Sequence, residues 1–319
     1  MKKLLTTLID IFTIPLTFIS GVWLKFVRKR LVGFWHSNAP LTRLVLQRIG
    51  MFPIINHYYD PFISPSKFKK PLHENRTLIG INLRKDEQLS LLKKFDYRNE
   101  LLEISTLPKN KLTYSFDNGP FLSGDSEMLF NIVRYFKPQR VIEIGCGHSS
   151  LMIQEALTYN QKENDKYFCE HTCVEPFENS WLSKLKVKVV KEKVEDMDLI
   201  FFQNLEENDI LFIDSTHMIR PQGDVLFEYL ELLPTLKSGV IIHIHDIFTP
   251  RDYLDEWFRD GMLFWNEQYL LEAFLTFNSE FEVICGVNFL KNNHFDEILL
   301  KCPMLTRERE PGSFWIRRK

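Results

Sequence analysis

The chain has 319 residues, enough for one large domain or two small ones, and its 45% hydrophobic residues supply a real core. Its 40 Lys and Arg stand against 42 Asp and Glu, and this net charge of −2 removes any global electrostatic case for nucleic acid as a partner. The five cysteines, Cys146, Cys169, Cys173, Cys285 and Cys302, are odd in number and contain no C-x-x-C pair, which argues against a disulfide framework or a zinc site and for a reducing, cytoplasmic compartment.

Residues Leu4 to Leu24 are strongly apolar, interrupted by Asp10 and Pro15 and bracketed by Lys2, Lys3, Lys25, Arg28, Lys29 and Arg30. A transmembrane helix has about this length, but Asp10 is costly inside it and Pro15 would kink it. A signal peptide would need a small-residue cleavage site, and none is clear before Lys25. The reading adopted is an apolar helix docked on the protein or lying on the anionic inner leaflet, with a membrane span as the alternative. Residues 31–59 read as further helix, followed by the aromatic, proline-bounded stretch Met51 to Pro61, read as packing or as a wall of an acceptor pocket. A polar linker spans 64–75, helical spacing recurs over 86–102, and 107–119 reads as loop. The expected division is therefore an N-terminal apolar segment over 1–62, a linker and helical cap over 63–117, and the main domain over 118–319.

From Asp125 the pattern becomes regular. Met128, Leu129, Ile132, Val133 and Phe136 form one apolar helical face, ended by Lys137-Pro138. Strands are expected at 140–144, 167–175, 187–191, 209–214 and 239–246, with helices near 220–236 and 267–277 and final strands near 281–285 and 313–317. Alternating strands and helices imply a mostly parallel α/β sheet covered on both faces, with ligands beyond the C-terminal strand ends.

The stretch Val141-Ile-Glu-Ile-Gly-Cys-Gly-His-Ser-Ser150 is a β-branched strand, a glycine turn and a helix start, with Ser149 or Ser150 as the expected cap. A dinucleotide fingerprint would carry a third glycine where Ser150 stands. Glu143 would repel a pyrophosphate but could stabilise a cation such as a sulfonium. Glu175 closes the second strand, 28 residues after Gly147 (175 − 147), where a carboxylate can accept hydrogen bonds from ribose hydroxyls. The fourth strand ends Asp214-Ser-Thr-His217 and the fifth His243-Ile-His245-Asp246. Asp214 and Asp246 converging at one mouth would suit Mg²⁺ or Ca²⁺. His217 and His245 are candidate general bases, or ligands of Mn²⁺ or Fe²⁺. Strand alternation turns His245 away from Asp246 unless the chain bends there. Trp257, Trp265 and Tyr269, which follow the fifth strand, either stack on a sugar or aromatic acceptor or pack the excursion.

The chain from Asn118 to Lys319 resembles the bacterial class I S-adenosylmethionine (SAM)-dependent methyltransferases of the family-24 type. Ile-Glu-Ile-Gly-Cys-Gly-His-Ser-Ser, Phe-Ile-Asp-Ser-Thr-His, His-Asp-Ile-Phe-Thr-Pro and Trp-Asn-Glu-Gln-Tyr carry the match, and Phe52-Pro with His57-Tyr-Tyr-Asp-Pro61 extends it. The resemblance implies SAM as methyl donor and a Rossmann-like seven-stranded sheet whose last strand is antiparallel, with an N-terminal helical extension. It implies a donor site at Glu143, Gly145, Gly147, Ser149, Ser150, Glu175 and Asp214. The chain is also similar to metal-assisted O-methyltransferases, which carries a metal role to Asp214 and Asp246 only, because His245 stands where those relatives commonly have a second acid. The expected activity is O-methylation of a sugar, polysaccharide precursor or other small molecule. An NAD-dependent oxidoreductase and a non-catalytic scaffold at a membrane are the alternatives.

Overall fold

The computed structural model describes residues 2–31, 39–58, 60–108, 110, 112–177 and 181–319, and divides into two compact units, Met1–Lys70 and Pro71–Lys319. The boundary falls inside the stretch read as linker.

The first unit holds α1 (Lys2–Leu31), which runs unbroken through Pro15, and α2 (Pro40–Arg48). Positions 32–38 and 59 of the expected helical stretch lie outside the described residues, and 51–58 are not helical. Val27 and Leu31 of α1 pack with Leu46 of α2. Arg28 is buried and ion-paired to Asp60, with Phe52 beneath its guanidinium, and Arg43 donates to the Leu31 carbonyl at 2.6 Å. Apart from the half-buried Leu24, the large apolar side chains from Leu5 to Phe26 stand 50–89% exposed.

In the second unit, α3 (Lys85–Lys94) and α4 (Arg98–Ser105) replace the single helix expected over 86–102. The chain turns out of α3 at Phe95, whose ring is fully buried and meets Tyr135 of the later helix edge-on at 5.6 Å. The helix α5 (Asp125–Phe136) leads into β1 (Arg140–Ile144), then α6 (His148–Glu163), β2 (Glu170–Val174), β3 (Lys188–Val190), β4 (Ile210–Ile213), α7 (Asp224–Phe227), β5 (Ile241–Ile244), β6 (Phe281–Gly286) and β7 (Phe314–Arg318). The sheet order is β3-β2-β1-β4-β5-β7-β6, parallel throughout except for β7, which runs antiparallel to β5 and β6. This is the expected seven-stranded Rossmann-like sheet with an N-terminal helix.

The central strands β1, β4 and β5 are rich in Ile and Val and buried on both faces, as a central parallel sheet requires. One apolar cluster gathers α3 to α6 against the sheet and a second fills the opposite face. β1 pairs with both β2 and β4, so its C-terminal end lies where the strand order reverses. The mouths of β1, β2, β4 and β5 therefore open side by side.

Candidate active site

Gly145 leaves β1 at φ 75°, and a Cβ there would lie 1.9 Å from the Asp214 carbonyl oxygen. Only glycine lets the loop cross β4 this closely. Gly147 has extended backbone, and a Cβ there would meet no atom of the described residues within 4 Å. Gly147 holds the cap position and α6 begins at His148, so neither Ser149 nor Ser150 is the cap. Both serines turn inward instead. Ser149 Oγ donates to Glu143 at 2.5 Å and Ser150 Oγ at 2.7 Å, while His171 Nε2 lies 2.9 Å from the same carboxylate.

Glu143 is 0% exposed and is absent from the lining of the cleft beside Glu175, its carboxylate being taken up by Ser149, Ser150 and His171. Its alternation on β1 sends it beneath the loop, where it ties the strand to the first turn of α6. His171 is the partner that sequence reasoning missed. Burial opposes its charge, but Cys173 and Glu143 outweigh that and push it up to about 10. Only the pairing of β1 with β2 brings these side chains together, so no spacing along the chain signals them. None of the five cysteines is in a disulfide.

Glu175 sits at the β2 end with Oε2 accepting from the Cys146 amide at 3.2 Å and Oε1 from the Phe177 amide at 2.8 Å. It borders a cleft of about 400 Å³, lined also by Gly145, Phe177, Val194, Glu195 and Asp214. The acids Glu175, Glu195, Asp214 and Asp224 outnumber the bases Lys193 and Arg220 along its wall. Phe177 and the Val194-Glu195 pair were not anticipated; they follow β2 and β3, and only the strand order places them opposite Asp214.

Asp214 also belongs to a second constellation. His217 Nε2 lies 3.3 Å from Asp214 Oδ1 and 3.4 Å from Asp246 Oδ2, and its Nδ1 lies 2.8 Å from buried Glu267. His217 and Asp246 both hold positive φ, 59° and 56°, an uncommon backbone for non-glycine residues that clusters at functional sites. Amides 266 and 267 donate to the His217 carbonyl at 3.0 and 3.3 Å, Tyr229 Oη donates to Glu267 at 3.0 Å, and the Trp265 ring lies 4.5 Å from the imidazole. The Trp-Asn-Glu segment therefore builds the seat of His217. Burial opposes protonation of His217, yet Asp214 and Glu267 raise it well above its ordinary value. Burial pushes Asp246 up to about 6, against the pull of His245 and His217.

The bend at Asp246 meets the geometric condition set by strand alternation. His245 points to the face it shares with His243, yet its Nε2 lies 3.5 Å from Asp246 Oδ1 because the chain turns there. His245 Nδ1 has no partner among the described residues. Burial opposes its charge, but Asp246, Asp214 and Asp125 raise its basicity overall. His243 is a buried neutral ring, held down by burial, 3.0 Å from Ser313 Oγ and stacked on Phe212. Trp257 packs edge-on against Trp265 and Phe248, and Tyr269 Oη donates to Asp252. These contacts give the excursion its own packing.

Asp214, His217 and Asp246 each offer one ligand atom, all within 4.8 Å of one another. Two carboxylates and an imidazole whose far nitrogen is held by Glu267 fit a divalent cation such as Mg²⁺ or Mn²⁺. The same distances fit an imidazolium bridging the two acids.

Residues 142–247 match the family model described as "Methyltransferase domain". The chain is 30% identical over 168 residues to an uncharacterised protein of Archaeoglobus fulgidus, a match spanning 48% of this chain and 74% of the relative. Among solved structures it is similar to the O-methyltransferase from Bacillus cereus in complex with SAH, at 12% identity and TM-score 0.34, covering 72% of this chain and 100% of that one. It is also similar to a SAM-dependent methyltransferase from Archaeoglobus fulgidus, at 16% identity and TM-score 0.29, covering 61% and 94%.

Proposed function

We propose, for a chain that belongs to the class I methyltransferases, that it moves the methyl group of S-adenosylmethionine to a hydroxyl oxygen of a sugar or other small molecule. The observation that carries this reading is Asp214, which lines the donor cleft and also stands 3.3 Å from His217 in the acidic cluster beside it. A donor in the cleft would thus hold its reactive end next to acid–base groups. Glu175 suits a ribose, with Phe177 and Val194 beside it for a purine. An acid-rich wall favours a sulfonium and an ammonium and disfavours the pyrophosphate of NAD.

Methyl transfer is an in-line displacement at carbon, and the sulfonium leaving group is already activated, so alignment supplies much of the acceleration. The acceptor must lose its proton. His245, whose Nδ1 has no partner among the described residues, is the base in this reading, and Asp246 steadies the cation it becomes. His217, seated by Glu267, orders Asp214 and Asp246. A divalent cation held by Asp214, His217 and Asp246 would lower the pKa of a bound hydroxyl.

Calorimetry against SAM, S-adenosylhomocysteine and NAD⁺, each with and without Mg²⁺, tests the donor. Binding of the first two alone is the expected result; binding of NAD⁺ alone would overturn it. For the acceptor side, Glu267→Gln is expected to lower kcat and move the pH–rate profile while donor affinity holds. An unchanged profile would remove His217 from the reaction.

A further inference from the structure

We infer that α1 is a transmembrane anchor, crossing a bilayer once with its C-terminal end on the cytoplasmic side. The inference rests on residues of the first unit and not on the donor cleft.

The helix stretch Leu5–Arg28 has 24 residues and a mean hydropathy of 1.7, and its buried side chains, Val27 and Arg28, fall in its last turn. At a rise of about 1.5 Å per residue it reaches roughly 36 Å, enough for a hydrocarbon core of about 30 Å. Among the described residues, the large apolar side chains from Leu5 to Trp23 are exposed, and burial begins at Leu24 and Val27, which pack with α2.

The distribution of polar residues separates spanning from lying flat. A surface helix carries Lys and Arg along its polar face to meet anionic headgroups. The narrow polar strip of α1 is Thr6, Asp10, Thr13, Thr17 and Ser20, whose single charge is an acid. The basic residues sit instead at the two ends, as in a span. Asp10 lies toward the N-terminal end rather than at mid-depth, and Thr13 Oγ1 returns its hydroxyl to the Asp10 carbonyl at 2.9 Å, so the strip's polar groups are partly satisfied within the helix.

The C-terminal end of α1 continues into a collar. Leu41, Leu44 and Val45 of α2 are exposed, as are Ile49, Phe52 and Ile54 after it. α2 is clasped to α1 through Leu46 and through Arg43, which puts this second apolar surface at the level where the helix would leave the bilayer. Lys25, Arg28, Lys29, Arg30, Arg43 and Arg48 lie in the last turn of this stretch or beyond it, against Lys2 and Lys3 before it. The excess of basic residues marks the cytoplasmic side, which is where residues 71–319 would then lie.

The full chain, expressed in bacterial cells, provides the test. Membranes are floated on a density gradient, washed with high salt and then alkaline carbonate, and the protein is sized by intact mass. The expected result is a floating, carbonate-resistant protein of full mass whose residues 71–319 are cut by protease in inverted vesicles but not in intact spheroplasts. A double variant, Leu16→Arg with Ile19→Arg, is expected to cut the carbonate-resistant fraction about tenfold. Binding of S-adenosylhomocysteine by the detergent-solubilised variant reports that the other unit is folded, whatever the fate of the anchor. Release of the native chain by salt or carbonate overturns the span in favour of a surface helix. A mass lacking the apolar segment overturns it in favour of a cleaved leader. Equal retention of the double variant in the floated, carbonate-washed membranes also overturns it.

Discussion

Glu143 and Glu175 are both acids flanking the glycine loop, and their surroundings give them opposite work. Glu143 is sealed beneath the loop with two serine hydroxyls and His171, so its removal is a stability event. Glu143→Gln leaves a buried imidazolium without its counter-charge, and a cost of roughly 3–5 kcal/mol is expected in denaturant unfolding. Glu175 faces the cleft. Glu175→Gln is expected to leave unfolding nearly unchanged and to weaken S-adenosylhomocysteine roughly ten- to hundredfold, the value of hydrogen bonds to a charged group. If calorimetry showed the reverse pattern, the two assignments would have to be exchanged. Their difference was not legible in the sequence, where both are strand-end acids close to glycines. Which face of β1 carries Glu143 follows from alternation, but the presence of His171 on that face follows only from strand pairing.

At the scale of the element, the loop from β1 to α6 is set by β4 as much as by its own residues. Gly145→Ala would force a methyl group to within 1.9 Å of the Asp214 carbonyl oxygen while holding a positive φ. The loop must then move, and a loss of donor affinity of roughly hundredfold or more is expected in titration calorimetry. Gly147→Ala, with open space around it, is the control and should cost far less. The start of α5 gives a pH prediction. Burial pushes Glu127 up to about 7, although the Met304 and Gly124 amides donate to it. A carboxyl whose folded pKa is raised keeps its proton longer in the native state than in the unfolded one. Stability therefore falls as pH rises from the ordinary Glu range through about 7. Thermal melts should show the wild-type Tm declining across that window, and Glu127→Gln starting lower but declining less. A variant that keeps the full pH slope would clear Glu127 of the effect.

At the scale of the whole chain, both large apolar clusters belong to residues 71–319, and the small third cluster belongs to the first unit. A domain with its own core can fold alone. A fragment of residues 71–319 is accordingly expected to melt cooperatively and to bind S-adenosylhomocysteine within about twofold of the full chain. A fragment that fails to melt cooperatively would mean that the first unit supplies part of the fold. The fragment should also be released from membranes, since the apolar length of α1 is gone.

The local chemistry of the chain was enough to establish the strand, glycine turn and helix at 140–163, the alternation that makes the sheet parallel, and the strand-end positions of Glu175, Asp214 and Asp246. Those features depend on residues near one another in sequence: β-branched runs, a glycine where φ must be positive, a carboxylate where a strand stops. The helix break at Phe95 escaped it, because the reason is a ring buried against residues from elsewhere. So did the seat of His217, which requires Glu267 from a helix 50 residues on, and the burial of Glu143, which requires His171 from the next strand. Distances across strands and between distant segments are decided when two apolar faces close on the sheet, and only that closure determines which polar groups meet inside and which are left facing the cleft.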